Sequence, residues 1–172
     1  MSEPLDRRDA GRALLDAYDD ALPYVYGYLV TRVGTAAVAE DLTSVTFLAA
    51  VEGVGRGAIR EPNVAWLLGI ARHKLADHWR RVARDERQLH EVASLTEHAH
   101  DPWTAHLDAV HAHAVLAQLG AHHRSALTFR YLDGLPVAEV ATLLGRSLHA
   151  TEALLVRARH AFRVTYEGGH DA

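Results

Sequence analysis

Residues 64–84, VAWLLGIARHKLADHWRRVAR, limit most sharply what this chain can fold into. Projected at about 100° per residue, the helical period, Leu67, Leu68, Ala71, Leu75, Trp79 and Val82 fall on one side. Arg72, His73, Lys74, Arg80, Arg81 and Arg84 fall on the other. One face is predicted to pack and the other to form a basic surface. Trp66 and Ile70 lie on the basic side near the start of this helix, where they are expected to pack against another element, the alternative being contact with a ligand. Similar runs rich in Ala, Leu, Val and Arg recur along the chain without β-type alternation or glycine-rich hairpin signals, so the expected class is all-α.

With 172 residues there is room for one domain or two small ones. The hydrophobic fraction of 49% and charged fraction of 23% suit a folded protein with a core rather than a disordered one. No stretch approaches the apolar length needed to cross a bilayer, and the charged residues 1–12 have no apolar run behind them, so a cytoplasmic location is expected. Zero cysteines exclude a disulfide framework, a thiolate metal site and a cysteine nucleophile.

A net charge of −4 argues against a free-standing, tight, non-specific DNA binder. Charge is nonetheless segregated. Between Arg72 and Arg87 six basic residues face three acidic ones (Asp77, Asp85 and Glu86), whereas Glu91, Glu97, Asp101 and Asp108 meet no Lys or Arg. Breaks are expected at residues 53–62, where three glycines and a proline interrupt the pattern, at 98–102 and at 133–136. The polar, His-rich stretch 89–103 reads as a tether. Helices are expected to resume at 107–119 and 122–132, with Pro136 in the first turn of the next.

Residues 137–163 carry the strongest local signal. Val140, Ala141 and Leu144 are apolar on one short helix, Gly145 follows Ala141 by four positions, and Leu154 follows Gly145 by nine, which is helix-turn-helix spacing. Ala141 lets a second helix cross closely, Gly145 accommodates the tight turn, and Ser147 caps the next helix, expected over residues 148–166. Leu154, Leu155, Ala158 and Phe162 are available for packing there. His149, Thr151, Glu152 and Val156 then become candidate readers of base edges, and Arg146, Arg157, Arg159 and Arg163 candidate phosphate contacts. Two packed helices need not bind anything, and that plain alternative stands beside this one.

Catalysis finds little support. The 13 histidines include the pairs His98/His100, His111/His113 and His122/His123, which lack the three- or four-residue spacing of helical metal ligands, and His170-Asp171 sits in a Gly-rich tail. No cofactor or metal is expected.

Three ordered segments, AEDLTSVTFLAA at 39–50, WLLGIARHKLADHWRR at 66–81 and EVATLLGRSLHATEALLVRAR at 139–159, resemble the extracytoplasmic-function sigma factors of RNA polymerase. The resemblance covers roughly residues 12–165. It implies a sigma-2 domain at 12–88, an acidic linker at 89–107 and a sigma-4 helix-turn-helix domain at 108–166. It further implies docking on the clamp helices of the polymerase largest subunit through Glu40, Asp41, Leu42, Ser44 and Val45, with Phe47 either part of that docking or its support or, the favoured reading, in the core, and a contact with the polymerase beta flap. The loop at 54–63 resembles one that captures a base flipped from the −10 element. Asn63, Arg72, His73, Lys74, Asp77, Arg80, Arg81 and Arg84 would meet the −10 region. Arg146, Ser147, His149, Thr151, Glu152, Val156, Arg157 and Arg159 would meet the −35 duplex. Promoter DNA, core polymerase and an anti-sigma factor are the implied partners.

The chain departs from the family pattern at several of these positions. Ser44 and Val45 stand where a Gln-Glu pair is usual, His73 replaces a frequent asparagine, and Glu152 and Leu154 replace basic residues. Weaker polymerase docking and altered promoter preference are the expected consequences. A conventional helix-turn-helix regulator, with the front half as a sensor or dimerisation bundle, is the alternative that the basic helix at 72–84 would distinguish.

Overall fold

A computed structural model describes residues 7–57, 62–89 and 109–168. Every regular element among them is helical: α1 (Arg7–Val33), α2 (Ala36–Gly55), α3 (Val64–Leu89), α4 (Ala109–Gln118), α5 (Ala121–Leu127), a π-helical turn (Thr128–Leu132), α6 (Val137–Leu144) and α7 (Leu148–Gly168). The chain divides into two compact units, residues 1–75 and 76–172, with the boundary inside α3.

In the first unit α1 and α2 form a helical hairpin. Gly34, at φ 79°, donates its N–H to Val30 O at 3.0 Å, ending α1 in the left-handed conformation that glycine adopts without steric cost. Buried Leu14, Ala21, Val25, Leu29 and Val33 form an inward stripe that meets Ala39, Leu42, Phe47, Ala50 and Val54 of α2. Tyr18 and Phe47 close it, their rings 4.6 Å apart. Thr43 and Thr46 are buried yet satisfied, each hydroxyl donating at 2.7 Å to the carbonyl four residues back. Pro23 lies inside α1, where it removes one helical N–H. The helix continues through it, with Ala21 and Val25 fully buried on either side.

The break expected at 53–62 starts later than glycine content suggests. Gly53 and Val54 are buried within α2, and the turn comes at Arg56 and Gly57. Residues 58–61 and the expected break at 98–102 lie outside the described residues. Asn63 opens α3, its Oδ1 accepting the N–H of Trp66 at 2.9 Å. Leu67, Ala71, Leu75 and Trp79 are buried as the projection predicts; Leu68, Val82, Trp66 and Ile70 are only partly covered.

The second unit is built on Val115, Leu116, Leu127, Ala158 and Phe162, with Tyr166 against the cluster. Phe129 is fully buried and meets Trp79 edge-on at 5.2 Å. The helix expected at 122–132 is split: after Leu127 the winding loosens, and Asp133 N–H bonds to Thr128 O, five residues back. Gly134, at φ 67°, completes the turn, and Pro136 stands at the N-cap of α6 with extended ψ rather than inside its first turn.

The helix-turn-helix follows. Gly145 adopts φ 63° and ψ 40°, and Arg146 N–H reaches back to Ala141 O at 2.9 Å. Ser147 Oγ accepts the Ala150 N–H at 3.2 Å, capping α7. A Gly145→Ala variant should lose about 1–2 kcal/mol, the cost of a left-handed conformation for an L side chain. Its added methyl would meet only the movable end of Arg80, at 3.3 Å. Urea denaturation checks this, and an unchanged midpoint would contradict the turn assignment.

Candidate nucleic-acid and protein interfaces

Three surfaces hold the residues singled out in the sequence. On α2, Glu40, Asp41, Ser44 and Val45 are exposed, while Leu42 is buried and supports the face from beneath. Next to them runs an apolar groove of about 1000 Å³ between α1 and α2, lined by Leu15, Tyr18, Phe47, Leu48 and Val51 among others. Leu15, Leu48 and Val51 are 75%, 63% and 59% exposed. An acidic rim beside apolar side chains left in water is chemistry suited to protein docking.

Along α3 the helical period sorts charge from core. His73, Arg80, Arg81 and Arg84 are exposed, and Arg72 and Lys74 are partly covered. Asp77 takes a hydrogen-bonded ion pair with Arg80 one turn on, which lowers the net charge of the row and orients that guanidinium. Asn63, assigned above to DNA, has its side-chain carbonyl committed to capping α3.

On α7, His149 and Glu152 are exposed, and Val156, Arg157 and Arg159 are partly exposed; Ser147 and Arg146 stand at the turn before it. Arg159 is held from outside the helix, its Nη1 donating to the Tyr131 hydroxyl at 3.0 Å. Thr151 is the exception. It is fully buried, and its hydroxyl donates to Ser147 O at 2.9 Å, so it cannot meet a base edge. The signal was present in the sequence: Thr151, Leu155, Ala158 and Phe162 are spaced four, three and four apart and form one inward stripe.

Sequence reasoning passed over a further basic cluster in the second unit. His122 Nε2 receives Arg87 through Nε at 2.8 Å, and Arg146 Nη2 lies 3.2 Å from His122 Nδ1. Burial, followed by the guanidiniums of Arg87 and Arg146 and the neighbouring His123, pushes His122 down to about 4. His123 is also lowered, by burial and then Arg157, against an opposing pull from Glu86. His78 is lowered by burial, then Arg81 and Arg124. The Glu86 carboxylate accepts the Ala121 N–H at 2.9 Å at the start of α5. The contacts that bring Arg87, Glu86 and Arg146 to α5 span 24 to 35 positions, so no local pattern announces them. Among the described residues no group of three or more His, Asp or Glu could hold a metal ion, and no helix is long and apolar enough to cross a membrane.

The lowered histidines set a pH dependence. Unfolded, each titrates near 6.5; folded, each binds its proton only at lower pH, so below about 6.5 the unfolded chain holds more protons and is favoured. Their contribution to stability is complete above that value and is lost as pH falls toward 4. The thermal midpoint should drop between pH 7 and 5, and less steeply in His122→Gln. A midpoint that is flat or rises on acidification would contradict these environments.

The pattern of sigma-70 region 2 matches residues 17–85 and that of sigma-70 region 4 matches residues 112–161, which defines the class as a sigma-70-type factor carrying these two regions. The ECF RNA polymerase sigma factor BldN of Streptomyces coelicolor is 36% identical over 168 residues, covering 92% of this chain; the chain spans 62% of BldN's length. The ECF RNA polymerase sigma factor SigL of Mycobacterium tuberculosis is 32% identical over 169 residues, covering 92% of each chain. The crystal structure of the sigma factor RpoE with the anti-sigma factor NepR from Bartonella quintana shares the fold, with a TM-score of 0.55 at 19% identity over 91% of this chain and 98% of that one. The chain belongs to the extracytoplasmic-function RNA polymerase sigma factors.

Proposed function

We propose that this chain binds core RNA polymerase in the cytoplasm, brings it to −35 and −10 promoter elements and assists strand opening, without catalysing a reaction itself. The observation that carries this reading is the pairing of an exposed cationic row on α3 with an exposed recognition face on α7, in a chain whose net charge is −4. A protein so acidic gains little from counterion release alone. Both DNA surfaces become effective when polymerase presents them together, because the second contact is then intramolecular.

Glu40, Asp41, Ser44 and Val45 dock on the largest-subunit clamp helices, with Leu42 fixing their backbone. The adjoining apolar groove suits the same partner or an anti-sigma factor that competes with it. Opening DNA costs a few kcal/mol per unstacked base, offset where cations grip the displaced strand. Arg72, His73, Lys74, Arg80, Arg81 and Arg84 supply that grip, and Asp77 tempers it through Arg80. In the rear domain, proposed at 108–166, His149, Glu152 and Val156 face the major groove, Glu152 as an acceptor for a cytosine amino group. Arg146, Arg157 and Arg159 hold phosphates, with Ser147 at the start of the helix. The acidic linker at 89–107 lies in the polymerase channels, and the rear domain meets the beta flap.

Run-off transcription with core polymerase tests the reading. Transcripts should appear only when the chain is added. Arg80→Ala with Arg81→Ala should cut open complexes at least about tenfold while duplex binding survives, since each charge-assisted contact contributes about 1.5–3 kcal/mol. No transcript at any promoter, or DNA binding without polymerase association, would replace this reading with that of a conventional regulator.

A further inference from the structure

The second unit contains a cavity of about 310 Å³ lined by Arg80, Arg84, Arg87, His122 and Arg146, over a floor that includes buried Trp79 and Leu144. Four arginines line it and no carboxylate does; Asp77 pairs with Arg80, and Glu86 accepts the Ala121 N–H. The hydrogen bonding is frustrated as well. A neutral imidazole has one N–H and one acceptor nitrogen. With Nε2 accepting from Arg87 at 2.8 Å, the proton sits on Nδ1 and faces the Arg146 N–H at 3.2 Å, donor against donor. Protonating the ring would place a third positive charge between two others.

We propose that this cavity is a binding site for a small phosphate-class oxyanion. An anion between Arg87 and Arg146 would accept from both guanidiniums, in the forked geometry that arginine offers phosphate oxygens. It would also turn the clash at Nδ1 into a further donor. The volume lies at the small end of the roughly 300–1,000 Å³ range of ligand cavities, enough for a pyrophosphate-sized group. Arg80, Arg84 and Arg146 belong to the promoter surfaces proposed above, but Arg87 and His122 do not, and the site needs no polymerase to be occupied. The phosphate could belong to a free compound or to a nucleic-acid end.

Binding carries a proton with it. His122 faces Arg87, Arg146 and His123, and a bound oxyanion reverses the sign of that field, so the ring takes up a proton on binding and affinity rises as pH falls below about 6.5.

The test uses the full chain in metal-free buffer: calorimetric titration with pyrophosphate at an ionic strength held constant with sodium chloride. In parallel, a single-stranded oligonucleotide is titrated with and without a 5′-phosphate. One-site pyrophosphate binding is expected, weakened at least tenfold in Arg87→Gln and in His122→Ala, each with an unchanged circular dichroism spectrum. In wild-type protein the NMR titration of His122 should move from about 4 toward the ordinary value of about 6.5 on saturation. Binding of only the 5′-phosphorylated oligonucleotide, with the same dependence on Arg87, would assign the site to nucleic-acid ends. Equal affinity in wild type and variants, or no binding of either probe with His122 unmoved, would overturn the proposal. If a variant fails to fold, the wild-type histidine titration decides, and failure of run-off transcription would leave this result readable.

Discussion

The left-handed turn at Gly145 sets the geometry of the recognition helix. By ending α6 at a fixed residue and letting Arg146 N–H close onto Ala141 O, it decides where α7 starts and therefore which of its faces turns inward. Thr151, Leu155, Ala158 and Phe162 then descend into the core, and Phe162 stacks on Tyr166, which in turn meets His111 of α4 edge-on. His149, Glu152 and Val156 are left outward as a consequence of that register. A start one residue earlier or later would rotate the helix by about 100° and bury a different set.

Charge is handled by the same sorting. The cations of α3 stay at the surface because its small and apolar residues, Ala71, Leu75, Ala76, Trp79 and Ala83, occupy the buried stripe. Where cations crowd, at Arg87, His122 and Arg146, the protein keeps the imidazole neutral rather than adding to the repulsion. An acidic total charge combined with local basic rows limits grip on arbitrary DNA, since affinity for phosphate scales with the number of counterions released. In the proposed reading, selectivity is then left to the few outward side chains of α7 and to the partner that presents them. Ser44 and Val45 matter in this light, because they make the exposed face of α2 less polar than a Gln-Glu pair would.

Much of this was legible in the sequence because helices with one wet face advertise it. The period at 64–84 located the buried and basic sides of α3, and the Ala141, Gly145 and Leu154 spacing located the turn, the cap at Ser147 and the packing of α7. Gly53 misled because glycine was read as a breaker, whereas at a buried helix position it simply lacks a side chain. Thr151 misled because a polar residue on a recognition helix invites an outward role, although a threonine hydroxyl bonded to the preceding turn buries readily. The loosened turn at Thr128–Leu132 has no compositional signal; it is written in tertiary packing around Phe129 and the bond from Asp133. The cluster around His122 joins residues 35 and 24 positions apart, beyond the reach of any local pattern.

In the proposed division of labour α3 holds melted strands while α7 reads intact duplex, with polymerase as the scaffold. Permanganate probing of unpaired thymines on the chain's own target promoter tests it most directly. Reactive thymines confined to the −10 region, present only when core polymerase and this chain are both added, are the predicted result. A promoter that stays unreactive with both present, or reactivity spread into the −35 element, would contradict it.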